Sequence, residues 1–447
     1  MMRCSGRPPN WREVRRHPRG PMPRKLIDDC FRTDPRDSDR MTHDATLALI
    51  RDRTMPVVDA RTMPLGAAVG AVLAEDVVAA VDVPGHTNSA VDGFAFSHSA
   101  YDIAAGARFA VEARIAAGSH GCVAVRPDAA ARIFTGAVMP LGLDTVVMQE
   151  DCDIEADGCH VVIPSGLKAG ANVRKAGEDV EVGTPILARG QVIRAPDIAA
   201  LSSLGVQGVS CFGRPRVGII ATGDEVVRGG RALEAGEVYD VNTPLLLALS
   251  QGCTAEVTDL GVWPDRRDDV IERLRDAAVD FDLLITSGGA SQGEEDHISH
   301  ALASLGTRHF WQIAVKPGRP LMLGQIGDTA VVGLPGNPVA VFVCFLMYVW
   351  PLMRQLGGAA WREPRRFPLR ADFSFENRKV GRREFWRGTT RQTADGLVVR
   401  KFPRDGSGLI SGLRAADGLI DVPEDVPAIK AGEMVDFIPF SEFGIVD

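Results

Sequence analysis

Between residues 214 and 357, short unbroken apolar runs alternate with segments whose apolar residues recur every three to four positions. Val217, Gly218, Ile219, Ile220 and Ala221 read as a strand. Thr243 is placed to cap a following helix, with Pro244 at its first position and Gly252 at its end. A second strand is expected over residues 257–262. Asp265 would then cap a helix whose Val270, Ile271, Leu274 and Ala278 share one face. Residues 282–286 give a third strand, and Ile298, Ala301, Leu302 and Leu305 line the helix after it. Val331 and Val332 lead to Asn337 as an N-cap and Pro338 at N1. Twelve apolar residues follow, 339–350, and Pro351 should end them. That run is short of the ~20 residues a membrane span needs, so it predicts a buried core helix. The alternation implies a doubly wound parallel sheet covered on both faces, with ligands at the carboxyl ends of its strands.

The flanks have other periods. Residues 42–80 look helical, with Thr42 a cap and residues 65–73 a short second helix. From 84 to 164, short apolar runs and many glycines predict a β-rich unit. Residues 186–193 read as a tight hairpin, and residues 196–204 as a helix with Pro196 near N1 and Gly205 past its end. A β-rich unit between helical pieces implies an insertion. After residue 358, Phe367, Leu369, Ala371, Phe373 and Phe375 alternate with polar residues, and Ala394, Asp395 and Gly396 make a turn, which predicts a small C-terminal β domain. Residues 1–40 read as a flexible extension, with Met22 or Met41 an alternative start. The fold expected is therefore multidomain: a central α/β domain at 214–357, a β-rich insertion at 84–164, a discontinuous piece at 41–83 and 165–213, and a β domain at 358–447.

Composition narrows the chemistry. A net charge of −8 in 447 residues argues against a dedicated nucleic-acid binder. The eight cysteines include no CxxC pair, so neither a zinc site nor a dithiol redox motif is indicated. The first twenty residues hold six arginines and one glutamate with no apolar stretch after them, unlike a secretory signal, and a cytoplasmic protein without membrane contact is expected.

Three strand ends carry unusual loops: Ala221 to Glu225, Thr286 to Asp296, and Gly333 to Pro338. Glycines let the backbone approach an anion, and turn N–H groups can point at phosphate, which selects Ser287, Gly288, Gly289, Ser291 and Gly293, then Pro335, Gly336 and Asn337. Lys316 and Arg319 add two cations on a rigid Lys-Pro-Gly-Arg-Pro turn. Asp224, Glu225, Asp265 and Asp296 would repel phosphate unless a divalent cation such as Mg²⁺ lies between them. Asp265 and Asp296 also have a plain role as helix caps. His297 and His300 lack a third ligand at a supporting spacing and read as a surface pair.

The segments Asn88 to Ala95, Arg132 to Pro140, Val146 to Glu150, Arg174 to Asp179, Thr222 to Glu225, Ser287 to Asp296, Lys316 to Pro320 and Leu334 to Val339 together closely resemble the MoeA family, the molybdopterin molybdenumtransferases, which include the E domain of gephyrin. The resemblance runs in order over roughly residues 41–447. It implies a MoaB/Mog-like central domain that binds molybdopterin, a C-terminal small β-barrel, and a linker and dimerisation role for residues 41–83 with 165–213. It implies transfer of molybdate into adenylyl-molybdopterin, release of AMP, a need for Mg²⁺, and a homodimer. Contacts with other molybdenum-cofactor biosynthesis proteins and with acceptor molybdoenzymes are implied as well. By motif position, Asp92, Thr135 and Asp179 come from the partner side of the site. Glu225, Asp265, Asp296 and Lys316 come from the α/β side, and Arg382 and Ser407 from the C-terminal domain. Asp92 and Glu225 both remain open as the base.

Two departures stand out. Thr87 replaces an Asp common in the family, and Gln312 replaces a lysine found in some members four residues before Lys316. Two other readings stand beside this one. A molybdopterin adenylyltransferase would explain the α/β domain but not the residues on either side, and a non-catalytic cofactor carrier or scaffold would need no base.

Overall fold

A computed structural model describes residues 40–119, 123–288, 297–404, 406 and 408–446. The expected extension, apart from Arg40, lies outside the described residues. The chain divides into two compact units: residues 62–211, and residues 1–61 with 212–447.

The larger unit is built on a six-stranded sheet. Its strands are β1 (Arg216–Thr222), β2 (Glu256–Trp263), β3 (Leu283–Ser287), β4 (Thr307–Trp311), β5 (Met322–Ile326) and β6 (Thr329–Leu334), in the order β2-β1-β3-β6-β5-β4. The first four in that order are parallel, as expected; β5 runs antiparallel to both β6 and β4. The two-residue turn of Gly327 and Asp328 between β5 and β6 leaves too little chain for a crossover helix, so a hairpin edge replaces a further parallel strand. Successive strand residues face opposite cores: Ile219 and Ile285 pack on one side, Ile220 and Leu284 on the other. Burial on both faces is why these strands read as continuous apolar runs.

Several local signals act differently from their sequence reading. The helix Asn242–Ser250 is held at its start by Asp240, whose Oδ1 accepts from the Thr243 N–H at 3.0 Å; Thr243 is not the cap. Arg266, not Asp265, occupies the N-cap of the helix Arg267–Asp280 and makes no side-chain cap bond. Asn337 does cap the long helix, its Oδ1 accepting from the Val339 N–H at 3.2 Å. Pro351 does not end that helix. The stretch Phe345–Val349 widens to π geometry and the helix continues as Trp350–Leu356. A wide turn relieves the clash that a proline ring makes with the carbonyl four residues back. The whole span, Pro338–Leu356, is long and apolar enough to cross a membrane, yet 89% of it is buried in the protein.

The helix His43–Arg53 belongs to this unit as well. Leu47, Leu49 and Ile50 join the core around the long helix, and Gln355 Nε2 donates to the carbonyls of Arg51 and Thr54. The C-terminal strands Phe367–Ala371, Arg383–Thr393, Gly396–Lys401, Gly418–Val422 and Met434–Pro439 close into a five-stranded barrel, because Arg383–Thr393 pairs with both Gly396–Lys401 and Gly418–Val422. The short strand Val315–Lys316 adds to it in parallel, with Lys316 opposite Glu384.

In the smaller unit, a six-stranded sheet runs Thr145–Met148, Gly93–Phe96, Ala129–Ile133, Ala107–Ile115, His160–Ile163 and Asp153–Ile154 in spatial order. A separate core of Leu65, Leu73, Leu187, Ile193, Leu201 and Val209 lies under the helix Ala195–Ser203. Only Leu65–Ala67 is helical in the segment expected as a second short helix, and it is a single 3₁₀ turn. The turn near Gly190 forms, but its arms pair with Val77–Val78 and Val72 rather than with each other.

Candidate functional site

The carboxyl ends of β1, β2 and β3 gather acids and a tight glycine. Gly288 has φ +94°, and a Cβ there would lie 2.8 Å from Thr222 Oγ1 and 3.0 Å from the Thr222 carbonyl. Only glycine meets both conditions, so β1 and β3 can end side by side. Asp224 Oδ1 accepts from the Asp265 N–H at 3.2 Å, which joins the ends of β1 and β2. His297 Nε2 lies 3.9 Å from Asp265 Oδ1. It is therefore no isolated surface histidine, and it faces one of the proposed metal ligands. Among the described residues, neither Asp224 nor Glu225 forms an ion pair. Gly289, Ser291, Gly293 and Asp296 lie outside the described residues.

Further along the sheet order the charge reverses. The Lys316 to Pro320 turn and the Pro335 to Asn337 loop meet the barrel around a cavity of about 310 Å³. Lys316, Arg319, Arg387, Lys401 and Arg404 line it together with Phe385, Trp386, Phe402, Pro335 and Asn337, and among the described residues no carboxylate does. Gly336 is fixed from below, its carbonyl accepting from Asn242 Nδ2 at 2.7 Å. Arg319 donates from Nε and Nη2 to Gln312 Oε1 at 3.4 and 3.3 Å. A lysine at 312 would place a second cation there; the glutamine instead orients the guanidinium. Arg387 donates to the carbonyls of Leu409, Arg404 and Gly406, which shapes the loop on either side of Ser407, itself outside the described residues.

Glu384 stands behind the cavity wall. Its Oε2 accepts from Trp386 Nε1 at 2.9 Å and lies 3.3 Å from Lys316 Nζ. Its Oε1 accepts from Arg382 Nε at 3.2 Å and is 3.6 Å from Arg378 Nε. Burial alone would push this carboxyl up, but the indole N–H and the Lys316 and Arg378 cations outweigh it and hold it below the usual carboxylate range. Sequence reasoning missed Glu384, Arg387, Lys401 and Arg404. One signal was available: Glu384 is in phase with Trp386 on a period-two strand, and a charge in phase with inward apolar positions is rarely idle.

In the smaller unit, Asp92 Oδ1 accepts from the Thr135 N–H at 2.8 Å and from the Thr135 hydroxyl at 2.7 Å. The hydroxyl, then the N–H, holds the Asp92 carboxyl below its ordinary value. Asn88 lies opposite Arg174, and the Thr87 hydroxyl accepts from the Ala176 N–H at 3.3 Å. Thr87 thus ties the Asp92 loop to the Arg174 to Asp179 loop. The Asp179 N–H donates to the Val83 carbonyl at 3.0 Å, and its carboxylate is exposed and stands outside the Asp92–Thr135 pair.

A mixed α/β domain with glycine-loop strand ends, followed by a barrel that completes a basic cavity, defines a multidomain enzyme acting on an anionic substrate. Comparison with known proteins narrows the class. Residues 41–205 match the MoeA N-terminal region (domain I and II), residues 218–355 the probable molybdopterin binding domain, and residues 369–440 the MoeA C-terminal region (domain IV). A molybdopterin molybdenumtransferase from Haemophilus influenzae is 34% identical over 379 residues, which is 84% of this chain and 93% of that one. A protein of the same name from Nostoc sp. is 35% identical, over 83% of this chain and 86% of its own. A crystal structure of the molybdopterin biosynthesis MoeA protein from Pyrococcus horikoshii OT3 has a TM-score of 0.77 at 27% identity, covering 90% of this chain and all of that one. The chain belongs to the MoeA family.

Proposed function

We infer that the chain is a molybdopterin molybdenumtransferase, which inserts molybdate into adenylyl-molybdopterin and releases AMP in molybdenum-cofactor biosynthesis. The observation that carries this reading is the basic, aromatic-walled cavity formed by the Lys316 turn, the Asn337 loop and the barrel. Its cations suit an oxyanion, and its fixed donors can stabilise charge that develops during transfer. The full-length relatives favour this reading over an adenylyltransferase, because the regions flanking the α/β domain are matched too.

Glu225 and Asp224, at the end of β1, offer hard carboxylate oxygens beside Asp265, whose N–H donates to Asp224, and a set of carboxylates gathered at one strand end fits Mg²⁺. When bound, Mg²⁺ would neutralise phosphate oxygens that these acids otherwise repel. Asp92, held ionised by Thr135, suits orientation of a donor better than strong basicity, which favours Glu225 as the base. In this reading Asp92, Thr135 and Asp179 serve the α/β site of a second subunit, so the enzyme is a cytoplasmic homodimer.

The test is AMP release from adenylyl-molybdopterin on addition of molybdate. Asp92→Ala and Glu225→Gln should each lose most of it. Refolded or co-expressed as a one-to-one mixture, half the dimers would carry one intact site, restoring about 25% of wild-type activity. No molybdate-dependent AMP release from the wild-type protein sinks the function; no recovery on mixing sinks the shared site.

A further inference from the structure

We propose that Glu384 is a positioning residue for oxyanion binding: it holds Lys316 at the cavity wall while leaving Lys316 and Arg382 with net positive charge for the ligand. The inference rests on the reading of this cavity as the oxyanion site.

Charge sets the first constraint. One carboxylate meets Lys316, Arg378 and Arg382, but Glu424 and Asp425 also act on Arg378, so Lys316 and Arg382 are the pair that share Glu384 on the ligand side. Two cations that share one carboxylate keep net positive charge, which suits an oxyanion such as molybdate. The geometry separates the roles of the three cations. The Arg378 side chain is only 1% exposed, and it also donates to the carbonyls of Val426 and Arg382, so it is a structural cation. The side chains of Lys316 and Arg382 are 39% and 36% exposed and can meet a ligand.

An unanchored lysine carries about 2 kcal/mol of rotamer entropy on its flexible stem. Near Arg378 and Arg382 it would also swing away from like charge. Glu384 answers both problems because its own carboxylate cannot move. Its residue is 2% exposed, and the Trp386 indole fixes Oε2 at 2.9 Å. The register of the parallel pair sets Lys316 directly opposite. At 3.3 Å the ammonium is tethered through one contact, and its remaining donors stay available.

The opposite reading treats Glu384 as an anion that only repels the ligand. The two predict opposite signs. Molybdate binding to the full-length protein, followed by titration calorimetry, should weaken about tenfold in Glu384→Gln if the carboxylate positions Lys316. It should strengthen if the carboxylate merely repels. Coupling supplies a readout that simple destabilisation would not move. Lys316→Met with Glu384→Gln should bind no worse, within about twofold, than Lys316→Met alone. Should Glu384→Gln fail to fold, Trp386→Phe removes the donor that aims Oε2 and should weaken binding about threefold. Unchanged or tighter binding in these variants, multiplicative effects in the double variant, or no molybdate binding to the wild-type chain overturns the inference. The AMP assay decides the transferase reading separately: a chain that binds molybdate through Lys316 and Glu384 yet releases no AMP keeps the inference and loses the activity.

Discussion

Two stretches of the same sheet edge carry opposite charge. The ends of β1 and β2 present Asp224, Glu225 and Asp265, while the loops beyond β4 and β6 meet the barrel in a cavity lined, among the described residues, by five cations. Between them, in sheet order, stands the end of β3 with Gly288. The acids come from one local design, a strand followed at once by its loop. The cations come from a turn and a barrel strand that meet only after the barrel closes. Such a division suits a reaction needing a divalent cation at one place and an oxyanion at another, because neither charge must share a donor set with the other.

The largest expected effect falls on the barrel side. His43 Nδ1 is 2.8 Å from Tyr348 Oη, and its ring packs on Phe385, a residue of the cavity wall. Burial first, and the nearby Arg383 cation second, lower its pKa from 6.5 to about 4. The folded-state value lies below the unfolded one, so this contribution to stability is complete above about 6.5 and is lost as pH falls through 4. At 1.36 kcal/mol per unit it amounts to up to about 3 kcal/mol. Denaturant melts at pH 7 and pH 4.5 should show a clear loss in the wild-type chain and a smaller one in His43→Phe. An equal loss in both would mean that the barrel side owes its acid lability to other groups.

A smaller effect, on the acid side, comes from Gly288→Ala. Positive φ and the contacts with Thr222 together should cost about 2 kcal/mol. Thr222→Ala in the same chain removes the 2.8 Å contact but not the 3.0 Å one to the carbonyl, so thermal melts should recover only partly. Full recovery would show that the hydroxyl alone forces glycine there.

The contrast between the two ends also explains what the sequence could tell. The acid edge was legible because strand, glycine and acid are neighbours in the chain: Thr222 to Glu225 and Ser287 to Gly288 need no tertiary knowledge. Asn337 with Pro338 was legible for the same reason. Asp265 looked like a cap because a short acid preceded an amphipathic run, yet the backbone enters one residue later and Asp224 takes its N–H. Pro351 looked like a stop because a π-turn leaves no mark in composition. The basic cavity was half hidden. Lys316 and Arg319 stood out in a proline-glycine turn, but Arg387, Lys401 and Arg404 looked like ordinary strand and loop charges. Only the closure of the barrel, which pairs Lys316 with a strand nearly seventy residues on, brings them together. Thr87 was read as a lost acid; its hydroxyl ties two loops of the smaller unit.

The smallest expected effect is the sharpest test of the division itself. If the acid edge serves the cation and the cavity serves the oxyanion, single neutralisations should separate cleanly. Asp224→Asn should raise the Mg²⁺ concentration needed for half-maximal AMP release about tenfold, since it removes one anionic ligand, and leave the molybdate dependence within about twofold. Arg404→Gln should do the reverse with a smaller amplitude, about threefold in molybdate, because Arg404 is exposed and its charge is screened by water. Both titrations can be run on the same preparations with the same AMP readout, so differences in folding cancel. Equal movement of both half-saturation values in either variant would show that cation and oxyanion are bound as one complex, and that the two ends of the edge form a single charged site.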